Sequence, residues 1–79
     1  MTTTELLAAA ATALRTNTTP LHAALADWLD DVRRDMTERI HAWERAYDPD
    51  HARDLMEKNA TLLYAYPLAV ARIVLDGAT

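Results

Sequence analysis

His22, His41, His51 and a dense set of carboxylates are the residues of this chain with the chemistry for metal binding or acid–base work. Glu38 and His41 stand in the E-x-x-H spacing that a di-metal bundle uses to aim a carboxylate and an imidazole inward. Here helical phase puts both on a polar face beside Glu44 and Arg45, so they point to solvent. His51 lies close in sequence to Asp48 and Asp54, a donor set for a surface metal ion, but the same residues make an ordinary solvated helix start, which is the reading adopted. The histidines are too far apart to pair as H-x-x-x-H on one helix. The chain has no serine and no cysteine, and its threonines have no histidine–carboxylate couple beside them. A single glycine, Gly77, excludes a glycine-rich phosphate loop. Trp28, Trp43, Tyr47, Tyr64 and Tyr66 are the rings available to line a ligand groove, yet at helical spacing such residues build a core. The expectation is a protein that is not an enzyme and uses no cofactor or metal.

The element that must position these groups is the stretch 19–47, TPLHAALADWLDDVRRDMTERIHAWERAY. At about 100° per residue, Leu21, Leu25, Trp28, Leu29, Val32, Met36, Ile40, Trp43, Ala46 and Tyr47 gather on roughly a third of the circle. Asp30, Arg33, Arg34, Thr37, His41, Glu44 and Arg45 fall opposite. Thr19 as N-cap and Pro20 in the first turn start the helix, because proline lacks an amide that would be orphaned there. The pairs Asp30–Arg34 and Asp35–Arg39 are spaced to link successive turns. Arg39 breaks the pattern, since its own phase lies within the apolar stripe between Met36 and Trp43.

Residues 3–16 predict a shorter alanine-rich helix, capped by Thr3 or Thr4, with Glu5 at its positive end and a narrow stripe of Leu6, Leu7, Ala10, Ala13 and Leu14. So little side-chain bulk makes it the element expected to be held least firmly. The Asp48-Pro49-Asp50 turn repeats the cap-and-proline device and folds a third helix, 49–76, back on the second as an antiparallel hairpin. A kink or short break is expected near Pro67, whose ring clashes with the carbonyl of Leu63, and Gly77 is placed to cap the end. The hairpin register sets Met36 near Leu62, Val32 near Tyr66 and Leu25 near Ile73. It also sets Arg39 level with Asn59, the one polar residue in the third helix's stripe, which predicts an Arg39–Asn59 contact. Tyr64, Leu68 and Leu75 lie off that stripe and define a second apolar face, covered by either the first helix or a second subunit.

Seventy-nine residues allow one domain, 1–79. No strand is expected, because no window alternates apolar and polar residues with β-branched ones. With 8 basic and 12 acidic residues the net charge is -4, which disfavours direct binding to nucleic acid. The start MTTTELLAAAATALR has no basic opening and carries Glu5, so no signal peptide is expected, and no apolar run approaches a membrane span. Without cysteine, nothing calls for an oxidising compartment. A soluble, cytoplasmic protein with no membrane association is the expectation.

The segments TTELLAAAATALR, LADWLDDV and YPLAVARIVLDG resemble short uncharacterised helical proteins of actinobacteria and their phages and prophages. The resemblance covers about half the chain. Many such proteins carry a TPGPW-like segment after the first helix or a cysteine-containing middle, whereas this chain has NTTPLH there and no cysteine. The resemblance implies no biochemical role and assigns no functional residue.

These readings converge on an all-α fold: an antiparallel hairpin of two long helices with a short N-terminal helix, forming a three-helix or dimeric four-helix-type bundle. The expected function is a self-associating interaction module, a homodimer that also binds a protein partner. Its interface candidates are Arg39, Asn59, Tyr64, Leu68, Leu75, Trp28 and Trp43. The alternative is an acidic phage- or host-encoded inhibitor that binds a nucleic-acid-binding protein through Asp27, Asp30, Asp31, Asp35 and Glu38.

Overall fold

The structure, a computed structural model, describes residues 1–17 and 19–78, without the side chain of Ala78. Thr18, in the predicted first boundary, and Thr79 lie outside the described residues. Four helices follow one another, α1 (Thr3–Arg15), α2 (Pro20–Trp43), α3 (Pro49–Leu63) and α4 (Ala65–Ala78). Among the described residues there is no strand, so the fold is all-α as expected.

Local chemistry explains the boundaries. Thr19 and Asp48 cap α2 and α3, accepting the amides of His22 and His51, with Pro20 and Pro49 in the first turns. The cap of α1 is Thr2 rather than Thr3 or Thr4. Thr2 Oγ1 accepts the Glu5 amide at 3.2 Å, and the Thr2 amide donates to Glu5 Oε1 at 3.3 Å, a reciprocal capping box. Helix α2 ends at Trp43, short of Tyr47; the chain leaves through a turn in which the Tyr47 amide donates to the Trp43 carbonyl at 2.9 Å. Gly77 lies inside α4 without a positive φ, so it is not the predicted C-cap.

The third predicted helix is two helices. Tyr64 leaves helical geometry, with φ -133° and ψ 40°, and α4 departs at 91° to α3. The break falls three residues ahead of Pro67, at the place its ring acts: an unbroken helix would drive the proline into the Leu63 carbonyl. Turning at Tyr64 relieves that clash, and the Tyr64 carbonyl then accepts the Leu68 amide at 3.1 Å as the first bond of α4.

This turn ends the predicted pairing of the second and third helices at Tyr64. Helix α1, expected to be peripheral, packs extensively on α2 and α4 and sits at the centre of the core, whereas α2 and α3 touch little. Leu7, Ala10, Ala11 and Leu14 of α1 are buried, together with Ala26, Leu29 and Met36 of α2 and Leu68 and Ala71 of α4. Alanine was the misleading signal. Each buries little area, but Ala10, Ala11, Ala26 and Ala71 let helices approach closely enough for Leu7, Leu29 and Leu68 to be sealed from water.

Polar ties hold both ends of α1. The Thr3 amide and hydroxyl donate to Glu57 Oε1 at 3.0 and 3.1 Å, so a carboxylate from α3 sits at the positive end of the α1 dipole. At the other end, the Arg15 guanidinium bridges Asp27 at 3.1 Å and Asp30 at 2.5 Å on α2.

The molecule is elongated, 42 × 19 × 17 Å, and its Cα radius of gyration of 13.2 Å exceeds the roughly 12 Å of a compact chain this long. Its surface of 5222 Å² likewise exceeds the roughly 4,800 Å² of a typical monomer of its mass. Leu62, Tyr66 and Ile73 are among the large hydrophobic residues left in solvent.

Candidate functional site

Two features stand out where α3 meets α4. The first is a polar latch that locks the corner. Tyr64 turns inward until it is buried, and its hydroxyl donates to Asp35 Oδ2 at 2.5 Å, the short distance of a bond to a charged acceptor. Arg39 Nε donates to the same hydroxyl at 3.1 Å, and Arg39 Nη2 lies 4.0 Å from Asp35 Oδ2. Burial raises the Tyr64 pKa above its ordinary value; the bond to Asp35 adds to this and Arg39 opposes it. The Arg39 pKa is raised in turn, chiefly by its bond to Tyr64.

The latch replaces the predicted Arg39–Asn59 contact. Asn59 Nδ2 instead donates to the Leu55 carbonyl of its own helix at 2.8 Å. Asn59 lies on α3 ahead of the break; it is the end of α2 at Trp43, four residues short of Tyr47, that shifts the register between the two helices. Arg39 still finds a partner for its misplaced charge, five residues beyond the one expected.

The second feature is an apolar face of α4 that its own chain leaves uncovered. Leu68, Ala71 and Leu75 point into the molecule, Leu68 and Ala71 fully and Leu75 in part. Tyr66, Ala69 and Ile73, spaced to share a face, point out, with Tyr66 84 % and Ile73 70 % exposed. Leu62 (83 % exposed) and Leu63 carry apolar surface onto the end of α3.

Tyr64, Leu68 and Leu75, the second face expected under the first helix or a second subunit, pack within the chain, where α1 lies against α4. Leu62, Tyr66 and Ile73, assigned to the hairpin core, face solvent instead, so their predicted contacts with Met36, Val32 and Leu25 do not form. The sequence did carry a signal for this: Arg72 and Asp76 are the only charges in α4, so the helix is apolar around most of its circumference. Of the tryptophans, Trp43 packs against the core, and Trp28 remains 39 % exposed.

Beside the outer face, a groove of about 340 Å³ opens between the ends of α1 and α4. Ala13 and Leu14 line one side, Ile73, Val74 and Gly77 another, and His22 stands at its edge. A Cβ placed on Gly77 would meet nothing within 4 Å, so the groove is open there.

The residues first considered for chemistry are placed elsewhere. His41 is exposed on α2, and the His22 ring meets the Thr19 hydroxyl at the helix start. The His51 ring lies against Tyr47, centroids 4.9 Å apart, while its amide takes the Asp48 cap bond. Among the described residues, no group of three His, Asp or Glu side chains is placed to hold a metal ion. Most of the acidic row on α2 has cationic or phenolic neighbours: Asp27 and Asp30 meet Arg15, Asp31 meets Arg34 at 3.5 Å, and Asp35 meets Tyr64. The predicted Asp30–Arg34 link gives way to Arg15 and Arg33 as partners of Asp30.

Among the described residues, no single helix is long and apolar enough to cross a membrane. No family model, curated protein or solved structure matches this chain.

Proposed function

We propose that this protein is a non-enzymatic interaction module that self-associates, and that its working surface is the apolar outer side of α4 with the adjoining end of α3. One observation carries the reading. Leu62, Tyr66 and Ile73 are 83 %, 84 % and 70 % exposed on a corner whose geometry is held by a buried tyrosine latch. Large apolar side chains presented on a braced frame lose little conformational freedom when a partner covers them. Exposed apolar side chains gathered on one corner are the feature an interaction site presents.

The test is light scattering behind size exclusion over a range of concentrations, on the wild type and on Tyr66→Glu/Ile73→Glu. The wild-type mass is expected to rise from the 8.8 kDa monomer towards twice that value, and the double variant to remain monomeric with unchanged helicity. A wild type that stays monomeric to its solubility limit overturns self-association.

A further inference from the structure

We infer that the occupant of this surface is a second copy of the chain, placed by a two-fold axis near Ala69 so that the two α4 helices run antiparallel and Tyr66 of each enters the groove of the other. This deepens the self-association reading and rests on it.

Three observations lead to the pairing. The first is that α4 carries both halves of a self-complementary contact. Tyr66 is a ring standing almost wholly in solvent. Ile73 and Gly77, on the same side of the helix, line the open groove. From Tyr66 to Ile73 is two turns, about 10.5 Å at 1.5 Å per residue. A two-fold axis midway between projection and groove brings each ring to the other copy's groove at once, which is the self-matching that an isologous interface requires. The midpoint falls beside Ala69 and Val70, where the exposed alanine lets two helices cross closely.

The second observation is charge. The chain carries a net charge of -4, so most pairings of like faces would oppose negative charge to negative charge. Helix α4 has only Arg72 and Asp76, one of each sign, and can face its copy without that repulsion. The same scarcity of cations argues against a membrane, since interfacial helices draw on a lysine- and arginine-rich polar face to meet anionic lipid.

The third is area. From their exposures, Leu62, Leu63, Tyr66 and Ile73 present on the order of 550 Å², most of the roughly 800 Å² per partner of a standard interface. A dimer held by this area is in exchange with monomer at low concentration.

The absence of cysteine makes the geometry directly measurable. On the axis, Ala69→Cys meets its own copy within disulfide reach, and under mild oxidation it is expected to form a covalent dimer. Tyr66→Cys mixed with Ile73→Cys is expected to form the mixed disulfide at least about tenfold faster than either variant alone, because the antiparallel pair holds those positions together at high effective concentration. Asp31→Cys, exposed on α2, is the background control. All four substituted sites are solvent-exposed, so folding is retained and is checked by circular dichroism.

If the wild type is dimeric by light scattering but Ala69→Cys links no faster than the control, the antiparallel pairing falls while self-association stands. If Tyr66→Cys alone links as fast as the mixture, the helices run parallel and the inference is overturned. If the wild type is monomeric at every concentration, both readings fall together.

Discussion

Helices α1 and α4 are alike in length and in their leucine and alanine content, yet the molecule treats them in opposite ways. Helix α1 has one apolar stripe, and it is fully spent: Leu7, Ala10, Ala11 and Leu14 are buried, and Glu57 and Arg15 tie its two ends to neighbours. Helix α4 has two apolar sides, with Leu68 and Ala71 buried and Tyr66 and Ile73 left in water. A helix apolar around its circumference is one that is covered all round when it works. The contrast separates a structural helix from one with surface to spare, and composition alone does not separate them.

The largest effect should come from substitutions that compare the two sides of α4. Leu68→Ala removes a side chain only 1 % exposed and is expected to cost roughly 2–5 kcal/mol, as Leu7→Ala should in α1. Ile73→Ala should change the stability of the monomer by less than about 0.5 kcal/mol. Urea unfolding at concentrations where the chain is monomeric measures all three. Equal losses at Leu68 and Ile73 would erase the distinction between the faces.

A smaller effect is expected at the latch. Tyr64→Phe keeps the buried ring but loses the bonds to Asp35 and Arg39, at a cost of about 1 kcal/mol. The latch also carries a pH signature. Burial, then the Asp35 bond, raises the Tyr64 pKa in the folded state, so its stabilisation is complete below the ordinary tyrosine value near 10 and is lost as pH rises through the raised folded value. Thermal unfolding followed from neutral to strongly alkaline pH should show a late loss of stability that is reduced in Tyr64→Phe. Phenolate absorbance should show a late-ionising tyrosine that disappears in Tyr64→Phe.

An effect smaller than that of the latch is expected at the ties of α1. Glu57→Gln weakens a carboxylate at a helix start and should cost about 0.5 kcal/mol, less in high salt. Amide exchange in the first turn of α1 should quicken, with α4 unaffected.

Much of this architecture can be read from the chain. Thr19-Pro20 and Asp48-Pro49 mark helix starts through backbone chemistry that needs no tertiary contact, and the stripe from Leu25 to Trp43 can form only one kind of element. Pro67 announces a break through its clash with Leu63. The direction in which the chain leaves that break is not written in any periodicity. Periodicity relates residues within one helix, and a 91° turn at Tyr64 resets which side of α4 faces inward. The assignment of Tyr66 and Ile73 to the core failed for that reason, whereas the Arg39–Asn59 pairing failed because α2 ends at Trp43 and the chain turns through residues 44–47 before α3. The central position of α1 was hidden differently, because alanine contributes by permitting approach and a count of apolar bulk does not register it.

The order of contacts along the chain has a consequence for how the fold forms. Helix α1 reaches α2 across residues 16–19, but it reaches α4 across residues 16–64. Closing the longer loop demands roughly 2 kcal/mol more chain entropy if the intervening segment is still flexible. Docking of α4 is thus the late step, and the α1–α2 pair waits with one flank bare until α4 arrives. A second molecule resting on the outer side of α4 would hold the last-docked helix in place, and would thereby couple assembly to completion of the fold.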